Sequence, residues 1–253
     1  MKKFNLKRKL LALGTSTLIL GGALAGCGSG GNAANNTATE SGEKEITVAI
    51  YRDGEMDLLD AASYKGPHVI YKMLYEGFTE DGGKDGVTPL LATSWDVSED
   101  QKTYTFHLRK GVKFTDGTDF NAQAVEFNLK RWVNNDRHSS LTSYKVDDIK
   151  VVDDYTIQVT FNSNAYPILT EMSYPRPVRF LSPDSIKDNG EVMGEFSSPV
   201  GTGQWMLESY TKDEEFVLKA NPDYWGEKPK LERIRFKVIK DGQARTMALK
   251  NGE

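Results

Sequence analysis

Between Pro89 and Arg131 the hydrophobic period of the chain changes once, and the change separates two strands from a helix. Tyr104, Phe106 and Leu108 alternate with Thr103, Thr105 and His107, the period of two expected of a half-buried strand. Trp95 and Val97 lead into it through a Ser98-Glu99-Asp100-Gln101 turn. After a second turn at Asp116-Gly117-Thr118-Asp119, apolar positions recur at Phe120, Ala124, Val125, Phe127, Leu129 and Trp132. Steps of three and four predict a helix with one apolar face, capped by Asn121 or Asp119.

The same patterning organises the rest. Ile46, Val48 and Ile50 alternate through a first strand, Glu45 to Tyr51. Val69, Ile70, Met73, Leu74 and Phe78 form a helical stripe, with Pro67 in the first turn, where proline is tolerated. Asp81 to Gly86 is turn chemistry. Residues 149–152 and 155–161 predict a hairpin turning at Asp153-Asp154. Tyr166 to Met172 predicts a short helix. The following Tyr174 to Phe180 cannot be helical, because Pro175 and Pro177 push the residues before them to extended geometry. Phe216-Val217-Leu218 and Ile234 to Val238 supply further strands, and Gln243 to Lys250 a last helix.

The amino terminus has a different composition. Met1 to Lys9 is basic and Leu10 to Ala25 apolar, the build of a secretory signal and too short for a membrane span. Leu24-Ala25-Gly26-Cys27 resembles a bacterial lipobox, which implies cleavage before Cys27 and a diacylglycerol anchor on its thiol. A general secretory signal with an incidental cysteine is the alternative. Gly28 to Gly42 is small and polar and reads as a flexible tether. The 253 residues carry 32 Lys and Arg against 36 Asp and Glu, a net of −4. Without the leader's five basic residues the balance is 27 against 36, or −9, which argues against a nucleic-acid partner. With Cys27 the sole cysteine there is no disulfide framework. An enzyme lacks support, since neither H-E-x-x-H nor G-x-S-x-G occurs. The glycine turn Pro199 to Trp205 lacks the Gly-Lys-Ser/Thr ending of a phosphate loop.

The run Pro89-Leu90-Leu91-Ala92 through Ser94-Trp95, Ser98-Glu99-Asp100, Thr103 to Phe106, Leu108-Arg109 and Gly111 to Phe114 resembles the hallmark segment of large extracytoplasmic solute-binding proteins. These serve peptide and nickel ABC importers and form family 5 of the solute-binding proteins. Tyr75 to Phe78, Pro199 to Trp205 and Asn221 to Gly226 are similar to the family as well. The resemblance implies an α/β, mixed α+β fold, a periplasmic-binding-protein-like two-lobed clamp of which one lobe and its subdomain are present. On this reading residues 1–26 are the signal peptide, 27–44 the tether and 45–253 the N-terminal lobe, ending before the second. It implies a lipid-anchored protein on the extracytoplasmic face, with an ABC permease as partner and no permanently bound cofactor.

Tyr174 to Pro183 is similar to the R-P-x-R-F-x-x-P run of nickel and metallophore binders, whose opening arginine holds carboxylates of the organic chelator that carries the metal. That arginine matches Arg176. A guanidinium offers a planar donor fork for a carboxylate, and the alternative is a structural ion pair; for Arg179 the structural role is preferred. Arg137 lies where nickel-binding relatives place a second chelator-contacting arginine, against the alternative of a solvated loop charge. Ser140 departs from the tryptophan of some relatives and leaves pocket shape and chelator open. His68 stands where nickel binders have a pocket-lining methionine, as a possible metal or ligand contact. His107 is expected on the polar side of its strand, and His138 in a loop. Three isolated histidines make no protein-only nickel cage, so the metal would arrive chelated. The transported ligand is expected to be nickel with an organic chelator; the alternative is a dipeptide or oligopeptide receptor.

Overall fold

The period-two segment is a strand, β5 (Thr103–Leu108), and its alternation translates directly into burial: Tyr104, Phe106 and Leu108 lie in the core, with Thr103, Thr105 and His107 on the wetter face. In this computed structural model the chain divides into Met1–Ser41 and Gly42–Glu253. The structure describes residues 44–52, 59–63, 66–135, 144–176, 178–188 and 191–252. The signal peptide, Cys27, most of the tether, Arg137, His138 and Ser140 lie outside them.

Two four-stranded sheets carry the fold. In one, β4 (Ala92–Val97), β5, β7 (Thr156–Phe161) and β6 (Val146–Asp153) lie in that order, all antiparallel. Helix α2 (Ala122–Val133) covers it with Ala124, Val125, Leu129 and Trp132. Asn121 is the cap that sequence left undecided: its Oδ1 accepts from the Ala124 N–H at 2.9 Å, whereas Asp119 pairs with Lys113. Asn121→Ala is expected to cost about 1 kcal/mol, read as a lowered urea midpoint at unchanged slope.

The other sheet has the order β1 (Glu45–Ile50), β10 (Arg233–Val238), β9 (Glu215–Ala220), β8 (Trp205–Thr211). Only β1 and β10 run parallel. Helix α1 (His68–Leu74) packs there with Ile70, Tyr71 and Leu74 beside Phe216, Leu218 and Phe236. A small hairpin, β2 (Thr79–Asp81) and β3 (Val87–Pro89), brackets the Asp81 to Gly86 turn.

Three expectations need correcting. The helical stripe running to Phe78 is too long: α1 ends at Leu74, Tyr75 is extended, and Val69 is 68% exposed. Phe78 is buried from a different direction, stacked on Phe106 with ring centroids 4.0 Å apart. Pro67 sits one place earlier than expected, as the helix cap with φ −65° and ψ 126°. The short helix expected from Tyr166 is α3 (Ile168–Ser173), starting two residues later.

Candidate ligand-binding site

His68 is the first residue of α1, and a polar knot behind it fixes the helix start. The Tyr71 hydroxyl donates to the Asp60 carbonyl at 3.0 Å and accepts from the Gly66 N–H at 3.0 Å. Tyr75 adds a second tie, its hydroxyl donating to the Leu59 carbonyl at 2.6 Å. Asp60 also pairs with the buried Arg131 of α2 at 2.7 Å, so the loop before α1 is held from both sides.

Arg176 arrives from the opposite direction. Helix α3 ends at Ser173, and its cap Tyr174 has φ −71° and ψ 157°, the extended geometry that the following proline imposes. Beyond it the chain is clamped again. The Phe180 N–H donates to the Glu76 carbonyl at 3.0 Å, and Asn128 of α2 holds both polar groups of Leu181, at 3.0 Å to its N–H and 2.8 Å to its carbonyl. Between these anchors Tyr174 meets His68 edge to face, ring centroids 6.1 Å apart. Burial, and after it the positive charge of Arg176, hold the His68 imidazole below its ordinary pKa. The Arg176 charge also reaches the Tyr71 phenol. His68, Tyr174 and Arg176 therefore form one cluster.

Its chemistry is unbalanced. The Nε of Arg176 is buried without a hydrogen-bond partner among the described residues, and no carboxylate among them forms an ion pair with its guanidinium. A half-buried cation of this kind suits a carboxylate brought by a ligand. His68, kept neutral at neutral pH, retains a ring nitrogen lone pair for a metal or a hydrogen bond. Among the described residues no three His, Cys, Asp or Glu side chains gather where they could hold a metal. His107 pairs with Asp96 at 2.8 Å on the surface.

Arg179, three residues on, also has a buried Nε without a hydrogen-bond partner among the described residues, but one of its terminal nitrogens is engaged. It is buried and donates to the Ser173 carbonyl at 2.9 Å, and burial lowers its pKa despite the nearby Glu80 and Glu76. It lies over a polar cavity of about 290 Å³ also lined by Lys72, Glu76, Glu80, Gln204 and Tyr224. Glu76 is the residue that sequence reasoning missed. Its buried carboxylate accepts from Thr202 Oγ1 at 2.8 Å, the Tyr224 hydroxyl at 2.7 Å and Trp225 Nε1 at 2.8 Å. The available signal was an acid inside an apolar run, Tyr75-Glu76-Gly77-Phe78, which a solvated surface does not require. Arg109, after β5, then lies over the Trp225 ring at 4.2 Å. This knot ties the segment just after α1 to the turns around Thr202 and Tyr224-Trp225, and through Arg109 to the end of β5.

The family model for bacterial extracellular solute-binding proteins, family 5 (middle), matches residues 86–253. The chain belongs to this family. It is 39% identical over 183 residues to the nickel-binding periplasmic protein of Escherichia coli K12, covering 72% of this chain and 35% of that protein. To the glutathione-binding protein GsiB of Salmonella choleraesuis it is 34% identical over 214 residues, 83% of this chain and 41% of that one. NikA from Brucella suis, solved in complex with Fe(III)-EDTA, superimposes with a TM-score of 0.76 at 33% identity, covering 83% of this chain and 42% of that structure. This family 5 chain thus spans well under half the length of these relatives. Its mixed sheet-and-helix architecture is that of the periplasmic binding proteins. Among the described residues no helix is long and apolar enough to cross a membrane.

Proposed function

We propose that this chain is the N-terminal lobe of an ABC importer's substrate-binding lipoprotein, which captures a chelated transition metal, nickel foremost, and hands it to a membrane permease. Residues 1–26 serve as the signal peptide, Cys27 carries the lipid anchor on the extracytoplasmic face, and 27–44 is the tether. No catalysis and no resident cofactor are part of the proposal. The observation that carries it is the Arg176 guanidinium, free of any carboxylate partner among the described residues and set beside a neutral His68. Arg176 takes a chelator carboxylate, with Arg137 as the second cation of the same kind and His68 as a metal or chelator contact. The likeness to a nickel-binding relative at 39% identity points the same way.

The test is the affinity of the purified chain for nickel presented with free histidine, by calorimetric titration. Losing a charge-assisted bond contributing about 1.5–3 kcal/mol corresponds to a drop of roughly 10- to 150-fold in Arg176→Ala. Unchanged affinity in that variant would falsify the assignment. A second reading, a receptor for peptides, is favoured by the glutathione-binding relative, which covers more of this chain than the nickel-binding one does. Native mass spectrometry of the protein from its own cells separates the two: a nickel-chelate mass supports the first and peptide masses the second.

A further inference from the structure

Tyr174 is 59% exposed, yet it is not loose. Its N–H bonds the Glu171 carbonyl at 3.3 Å at the end of α3, Pro175 fixes the backbone after it, and its ring is braced at 87° against His68. The Tyr174 ring meets the His68 imidazole edge to face, and the Arg176 charge is felt there as well, from two positions of the bend that follows α3. Tyr51 and Tyr166 are more exposed still, so what sets Tyr174 apart is its neighbours and not its exposure. Here it stands open and oriented, next to a cation with no carboxylate partner among the described residues.

We propose that Tyr174 is a specificity-determining ligand contact: its ring stacks on a flat unsaturated part of the ligand, while the Arg176 guanidinium holds a carboxylate attached to that part. The inference rests on the reading that Arg176 faces the ligand, and it narrows the ligand to heteroaromatic or similarly planar carboxylates and their metal chelates. Stacking requires a π face, and a saturated chelator with puckered arms has none. Such a ligand would find Tyr174 no better than an aliphatic wall.

Two nickel complexes form a matched pair of probes. Pyridine-2,6-dicarboxylate and iminodiacetate offer nickel the same oxygen, nitrogen, oxygen donors and the same charge, and differ in the aromatic ring. Calorimetric titration of the full chain is expected to show preference for the pyridine complex. Tyr174→Leu should weaken that complex about three- to tenfold and leave the iminodiacetate complex within about twofold, while Tyr174→Phe keeps the preference. Arg176→Ala should weaken both. If Tyr174→Leu leaves the ratio of the two affinities unchanged while Arg176→Ala still weakens both, Tyr174 is only a brace for His68 and the inference fails, with the receptor reading intact. If Arg176→Ala weakens neither, both fall together; if the wild-type chain binds neither complex yet binds nickel with histidine, the inference alone fails.

Discussion

Gly201→Ala is expected to lower the unfolding free energy by about 3 kcal/mol or more, a fall of roughly 10 °C in Tm for a chain of this size. A Cβ on Gly201 would stand 1.9 Å from the Leu74 carbonyl oxygen, which is backbone and cannot swing aside. That carbonyl is fixed further by the Gly203 N–H at 3.0 Å, and Gly201's own carbonyl accepts from Thr115 at 2.9 Å. The Gly-Thr-Gly turn is thus pressed against the last turn of α1, and the missing side chains are what let it approach. Gly117 is the control. It has φ +88° but open space around its Cβ position, so Gly117→Ala should cost only about 1–2 kcal/mol of backbone strain. Thermal melts of the two variants compare steric exclusion with conformational strain. Equal shifts would mean that the turn is less tightly seated than its distances indicate.

Removing the Glu76 carboxylate is the second large effect. Glu76→Leu should cost about 3–5 kcal/mol, because three donors from Thr202, Tyr224 and Trp225 lose one shared acceptor. Glu76→Gln, with a single acceptor oxygen, should cost about 1–3 kcal/mol. The pH dependence follows from burial, which raises the Glu76 pKa more than the three donors and Arg179 lower it. The folded protein then binds this proton more readily than the unfolded chain does. Its contribution to stability is full below pH 4.5 and is lost as pH rises through the raised value. In urea titrations across that window, Glu76→Gln should flatten the decline seen in the wild type. A decline of the same slope in the variant would assign the effect to other carboxylates.

How much of this was legible depended on whether an interaction is local. The alternation of β5 and the three-and-four spacing of α2 are decided by one buried face each, so the sequence carries them openly. Strand β8 and the β2–β3 hairpin escaped reading. The exposed positions of β8 break its alternation, and the hairpin strands are three residues long. Arg176 and His68 could be named from motif resemblance, and a structural role could be preferred for Arg179, which is buried and bonded to the Ser173 carbonyl. That His68, Tyr174 and Arg176 meet could not be read, since the elements carrying them are about a hundred residues apart in a chain with no visible pairing signal between them. Glu76 was hidden for the same reason, its donors lying 126 to 149 positions away.

The parallel pairing of β1 with β10 has a consequence in time. Glu45 and Arg235, linked across it at 2.8 Å, are separated by 190 positions. A strand whose one neighbour among the described residues is so distant cannot be placed until that partner has been made, and closing so long a loop is a slow, entropically costly step. As the chain emerges, the antiparallel sheet around β5 can assemble from nearby segments while Glu45–Ile50 waits with an unpaired backbone. During that interval the first strand is available to chaperones, to proteases and to other copies, and the opportunity ends when Arg233–Val238 arrives.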